Sequence, residues 1–196
     1  MKKRKTKVKL GKCFILFGFI LIFIYLVFSL NDKLVEKRNI DNFIYNFDFV
    51  PSEIDTDIII KNSNSNYIAV LEIPKLNLKK GLYSYESSYN NIDENITILE
   101  PFSVPSEDNS VFIVASHSGD SRVSYFRNLD KLLIGDSVIV YYDDVKYYYR
   151  IIDFYLEKKN GFISMPSFND GKYIILTTCK DSLNQLVYIG KLIKEV

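Results

Sequence analysis

The chain holds one histidine and two cysteines, so a thiol paired with an imidazole is the first chemistry to consider. His117 stands in A-S-H-S-G, directly after the apolar run Val111 to Ser116. Cys179 closes the run K-Y-I-I-L-T-T-C that starts at Lys172. A thiol with an ordinary pKa of about 8.5 is mostly protonated at neutral pH, so a cysteine nucleophile needs a neighbouring imidazole or cation to favour the thiolate. The 62 positions between His117 and Cys179 exclude a local metal-ligand spacing and leave a meeting in space as the way to join them. A lone cysteine closing an apolar strand also fits a small core residue, and a lone histidine a loop residue. Types and positions leave catalysis and structure both open.

Whatever these residues do, rigid elements must hold them. Tyr173 to Thr178 reads as a buried strand whose end would deliver the thiol of Cys179 to the rim of a sheet. Similar runs predict strands at Tyr67–Glu72, Lys79–Tyr85, Ile96–Leu99, Val111–Ser116, Ser137–Tyr142, Val145–Tyr155, Tyr173–Thr178 and Leu186–Ile193. Turn signals separate most of them, among them Pro74, Pro101, Pro105 to Asn109, Gly135-Asp136, Asp143-Asp144 and Asn169 to Gly171. Asp143-Asp144 lies between two aromatic and β-branched runs and predicts a tight hairpin; Asp136 reads as a turn residue. Val123 to Leu133 places Phe126, Leu129, Leu132 and Leu133 at three- and four-residue spacing and predicts a helix, with Gly135 just past its end. Eight short strands and one helix predict a small closed or nearly closed β-barrel. The 15 tyrosines and 14 phenylalanines against 8 glycines and 5 prolines agree with β structure.

The formal charge of +1 hides an asymmetry. Residues 1–12 carry seven cations and no acid, which leaves 18 basic against 24 acidic residues over 13–196, a net of −6. Cys13 to Leu30 is an uncharged apolar run of eighteen residues. At about 1.5 Å per residue it covers about 27 Å, close to a hydrocarbon core of roughly 30 Å. It is longer than the apolar part of a secretory signal and lacks a small-residue cleavage site, so it predicts an uncleaved transmembrane anchor contacting membrane lipid through residues 13–30. The cationic flank, 1–12, is then a cytoplasmic tail, and the rest lies outside the cell. Residues 31–66 read as an extracellular stalk. Lys33 to Phe49 has patchy helical periodicity, Pro51 stops it, and 61–66 is a polar linker. The globular domain spans 67–196. It contains one cysteine, so no disulfide can form within it, and Cys179 is left a free thiol in an oxidising compartment.

Several segments together resemble the sortases, membrane-anchored cysteine transpeptidases of Gram-positive bacteria. L-E-I-P-K-L at Leu71 to Leu76 resembles the start of the sortase barrel, and V-F-I-V-A-S-H-S-G at Val111 to Gly119 the strand leading to its catalytic histidine. Y-F-R-N-L-D-K-L-L-I-G-D at Tyr125 to Asp136 follows, then S-V-I-V at Ser137 to Val140. I-I-L-T-T-C at Ile174 to Cys179 is similar to the T-L-x-T-C signature. The likeness runs from about Ile68 to Ile193.

The resemblance implies a mainly β fold, the sortase-like eight-stranded β-barrel with one or two short helices, after an N-terminal transmembrane helix. It implies that Cys179 attacks the carbonyl of a C-terminal sorting motif in a secreted protein and forms a thioacyl intermediate. His117 would protonate the leaving amine and activate an incoming one from a peptidoglycan precursor or a pilin. Thr178, Ser116, Arg122 and Lys180 become candidate substrate contacts. At one place the sequence departs from the family: the arginine after the cysteine is Gln185, in Q-L-V-Y-I-G-K-L. An amide donates hydrogen bonds without a charge, and charge-assisted bonds are roughly twice as strong. Gln185 in the arginine's role, a substitute cation at Lys180 or Arg122, and a slow homologue all remain open. A catalytically impaired sortase-like module that binds a peptide or an assembly partner at the membrane is the alternative function.

Other classes find less support. Glu107-Asp108 and Asp143-Asp144 lack the spacing of a calcium loop, and neither a metal nor a cofactor is expected. No phosphate-binding glycine loop is present, and the acidic balance of 13–196 argues against nucleic acid. Asp120 and Arg122 read as solvated loop charges or as residues orienting the imidazole.

Overall fold

The computed structural model describes residues 3–48, 66–100, 103–165 and 170–196. Pro51, nearly all of the linker at 61–66, and the turn signals at Pro101 and Asn169 lie outside them. The chain divides into two compact units, Met1–Asp41 and Asn42–Val196.

The first unit is most of α1 (Lys3–Asp48), a single helix that continues well past Leu30. Its stretch Gly11–Tyr45 is long and apolar enough to cross a membrane. Large apolar side chains are exposed along it from Phe14 to Leu30, as a lipid-facing surface requires.

The second unit is built on one eight-stranded sheet: β1 (Tyr67–Ile73), β2 (Leu78–Tyr83), β3 (Thr97–Ile98), β4 (Val111–Ala115), β5 (Ser137–Tyr142), β6 (Val145–Lys158), β7 (Tyr173–Cys179) and β8 (Asn184–Glu195). The spatial order is β2-β1-β5-β6-β8-β7-β4-β3. All neighbours are antiparallel except β4 and β7, which run parallel in continuous register from Val111↔Tyr173 to Ala115↔Thr177. The eight expected strands are all present, with ends shifted by up to three residues. Asp143 and Asp144 both adopt positive φ, 50° and 58°, the turn whose twist suits a two-residue hairpin between β5 and β6.

The edge strands β2 and β3 lie beside each other, which makes the sheet nearly closed. Side chains complete the seam. Asn95 donates from Nδ2 to the Gly81 carbonyl on β2 at 2.9 Å. The Asn90 amide serves the short β3 from its side, accepting from Ile98 N at 2.7 Å and donating to Ile98 O at 3.1 Å.

The enclosed core includes Leu71, Ile73, Leu82, Phe112, Val114, Val138, Val140, Tyr149, Ile174, Leu176 and Tyr188. Gly190 is required for close packing here: a Cβ would lie 2.7 Å from Ile174 Cγ2 and 3.3 Å from Tyr149 Cβ. A second, smaller apolar cluster, Ile113, Ile175 and Val187, occupies the opposite face of β4, β7 and β8, where Leu99, Tyr155 and Ile163 cover it.

The helix expected over Val123 to Leu133 is replaced by consecutive turns and a short 3-10 helix at Leu129–Lys131. Bonds such as Arg127 N to Ser124 O, Leu129 N to Phe126 O and Leu132 N to Leu129 O each span three residues. The apolar period follows them: Phe126, Leu129 and Leu132 are buried, whereas Leu133 is 59% exposed. Three such anchors contribute about 1.5–3 kcal/mol each, enough to hold a segment whose own bonds are poorer than those of an α-helix. Burial spaced by three overrode the helical reading.

Candidate active site

The parallel pair brings the chain ends that carry His117 and Cys179 to one rim of the sheet. Its register offset equals their separation in sequence, so both chains reach the same rim of the sheet together. Three bonds fasten the strand ends. Ser116 N donates to Thr177 O at 3.3 Å, Thr178 Oγ1 donates to Ser116 O at 2.7 Å, and the Ser118 hydroxyl donates to the Cys179 carbonyl. Cys179 is a free thiol, partly exposed at the end of β7.

Strand alternation decides which side chains share the thiol's face. Ile174, Leu176 and Thr178 belong to the interior side, and Ile175, Thr177 and Cys179 to the other. Across the ladders, Cys179 pairs with Gln185 and Gln185 pairs with Glu157. Directly opposed residues lie on one face with Cβ atoms about 4.5–5.5 Å apart, so Cys179, Gln185 and Glu157 form one row over three strands. The next row is Ala115, Thr177, Val187 and Tyr155, a largely apolar floor beside the polar one.

His117 is partly exposed, and its Nε2 donates to Asp93 Oδ1 at 3.1 Å. Asp93 comes from the β2–β3 connection, where its own N–H donates to Asn91 Oδ1 at 3.0 Å and the Tyr125 hydroxyl reaches Glu94 O at 3.5 Å. After His117 the chain is braced by Arg127, which donates from Nε to Gly119 O and from a terminal nitrogen to Ser121 O, each at 3.0 Å.

The other candidate residues are scattered around this rim. Thr178 and Ser116 are buried, and their hydroxyls serve the backbone; that of Ser116 lies between Val123 O and Tyr125 N, 3.3 Å from each. Lys180 pairs with Asp130 at 3.1 Å. Arg122 is exposed in the turn after His117, and Asp120 lies 3.7 Å from Arg127 Nε. Gln185 donates from Nε2 to Glu157 Oε1 at 2.9 Å and to Phe162 O at 2.7 Å. Glu157 in turn accepts from Ser164 N at 3.0 Å, and the Tyr155 hydroxyl donates to Ser164 O. Burial, with the charges of Glu157 and Asp153 added, pushes the Tyr155 phenol up to about 12, so it remains a donor. Beyond the row, the Asn184 side-chain amide, followed by Leu183 N at 2.7 Å and Asn184 N at 2.8 Å, donates to Asp181 and holds its carboxyl below the usual range, shaping the tight β7–β8 turn.

Asp93, Ser118, Arg127 and Glu157 were not legible as site residues. Asp93 and Glu157 lie 24 and 28 residues from the groups they bind, with no local motif. Among the described residues no cluster of three His, Cys, Asp or Glu is placed to hold a metal.

A family model described as a sortase domain matches residues 71–193. No protein with a curated description matches the chain. Similar solved structures include sortase C of Streptococcus pneumoniae, at 21% identity and a TM-score of 0.59, covering 85% of this chain and 94% of that one. A Clostridium perfringens sortase D5 transpeptidase has 23% identity and a TM-score of 0.56, covering 82% and 99%. Sortase E1 of Streptomyces coelicolor, solved with a tripeptide in its active site, has 23% identity and a TM-score of 0.58, covering 66% and 90%.

Proposed function

Because the chain belongs to the sortase family, we propose that it is a membrane-anchored transpeptidase in which Cys179 is the nucleophile and His117 the acid and base. The observation that supports this reading is the shared rim of β4 and β7, past which the chain carries the single histidine on one side and ends in the free thiol of Cys179 on the other.

In the first half-reaction the Cys179 sulfur attacks the carbonyl carbon of a scissile amide in a secreted protein. A C–S bond forms, the C–N bond breaks, and His117 delivers a proton to the departing amine. In the second, an incoming amine attacks the thioester, its proton passes to His117, a new amide forms and the sulfur leaves as the thiolate beside the reprotonated imidazole. With Nε2 of His117 bound to Asp93, Nδ1 is the nitrogen left for these transfers. Asp93 thus orients the imidazole by accepting its other N–H. The buried Thr178 and Ser116 act as fasteners of the two strand ends rather than as surfaces for substrate.

The substrate carries a C-terminal sorting motif, and the amine belongs to a cell-wall peptide or a pilin. The pneumococcal sortase C, described for its pilin substrate specificity, is consistent with the second source. The apolar run 13–30, within the long N-terminal helix, anchors the enzyme, with the cationic residues 1–12 in the cytoplasm and the β unit outside. Full-length protein in detergent, given sorting-motif peptides and an amine, should form the joined product, and Cys179→Ala should abolish it. Product formation unaffected by that substitution defeats the enzymatic reading.

A further inference from the structure

The amide at Gln185 faces two partners, and neither is the thiol. A glutamine amide has two N–H groups; one is donated to Glu157 Oε1 at 2.9 Å and the other to Phe162 O at 2.7 Å. Both acceptors belong to the end of β6 and the connection that leaves it. The same connection is held twice more, by Ser164 N on the Glu157 carboxylate and by the Tyr155 hydroxyl on Ser164 O. Between these polar ties Ile163 packs on Ile113, Ile175 and Val187. Residues 162–164 are therefore pinned against the face of the sheet that carries Cys179, one strand beyond Gln185 in the same row.

We propose that Gln185 is a positioning residue: with Glu157 it clasps residues 162–164, just after β6, against the sheet and so holds one wall of the substrate cleft beside Cys179. The proposal rests on the transpeptidase reading. It also separates Gln185 from the charge-stabilising part expected at the arginine position. To donate to an acyl oxygen, the amide would have to give up at least one of its present acceptors. Giving up Glu157 would leave that carboxylate with Ser164 N as its other donor just as negative charge develops nearby, and like charges oppose each other. A neutral amide that keeps the carboxylate engaged suits a wall.

Three variants in the full-length, detergent-solubilised enzyme test this: Gln185→Ala, Glu157→Ala and the double variant. A clasp predicts that each single variant raises KM for the sorting peptide about five- to twentyfold and lowers kcat by less than about threefold, and that the double variant is no worse than either, because both changes break one unit. Hydrogen exchange in peptides covering 160–165 should rise at least tenfold in each variant, with the amides of β7 unchanged, which separates release of the wall from unfolding. A fall in kcat of about a hundredfold or more in Gln185→Ala that Glu157→Ala does not reproduce overturns the proposal, since that is the loss of an oxyanion donor. A tenfold rise in kcat on Gln185→Arg, or unchanged exchange over 160–165, overturns it too. If the wild-type protein makes no Cys179-dependent product, the transpeptidase reading fails, and the exchange data still decide whether the clasp exists.

Discussion

Replacing Asp93 by alanine should slow transpeptidation about two- to fivefold, and exposure sets that size. The carboxylate accepts from His117 Nε2 at 3.1 Å, but the side chains are 80% and 37% exposed respectively. Water competes for both partners, so the pair belongs with exposed interactions worth about 0.2–1 kcal/mol. At about 1.4 kcal/mol per tenfold in rate, the upper end of that range is roughly fivefold. A buried aspartate behind a catalytic histidine is a different case, where loss of the carboxylate costs about ten-thousandfold. Asp93→Asn should fall between wild type and Asp93→Ala, because the amide keeps an acceptor oxygen and loses the charge. The assay is kcat and KM for a sorting-motif peptide at saturating amine, with a thermal scan to show that folding is intact. A loss of a hundredfold or more would refute the argument from exposure, and no loss in either variant would remove Asp93 from the site.

Thr178→Val preserves shape but deletes the buried donor to Ser116 O; at about 1–3 kcal/mol for an unmet buried acceptor, Tm should fall by about 3–10 °C, read by circular dichroism. Gly190→Ala should cost about 1–3 kcal/mol, because the new methyl meets Ile174 at 2.7 Å and that side chain is fully buried; a Tm equal to wild type contradicts the packing. The folded-state pKa of Tyr155 lies above its ordinary value of 10.0, at about 12, so its contribution to stability is fully present below about pH 10 and is lost as pH rises through 12. In absorbance titration at about 295 nm, Tyr155→Phe should remove signal that develops near pH 12 rather than near pH 10.

The barrel was legible in the sequence because β-branched and aromatic runs alternate with strong turn residues; Asp143-Asp144 is the clearest instance, two short polar residues that tolerate positive φ at a hairpin. The sortase segments around His117 and Cys179 were legible for a related reason, since strand and candidate residue are contiguous there. Val123 to Leu133 misled because spacings of three and four occur together, and only burial shows that Phe126, Leu129 and Leu132 follow the three. The environment of Gln185 was hidden more deeply. Its place opposite Cys179 depends on the β7–β8 register, and its partners depend on how the β6–β7 connection folds back, which no local pattern encodes.

The measurement closest to the central claim is mass analysis of the enzyme quenched in acid while a sorting-motif peptide is turned over without added amine. Cys179 as nucleophile predicts one covalent adduct, equal in mass to the peptide's N-terminal part. It should map to the segment containing Cys179, disappear on adding hydroxylamine and be missing in Cys179→Ala. An adduct on another residue, or turnover that persists in Cys179→Ala, would contradict the account.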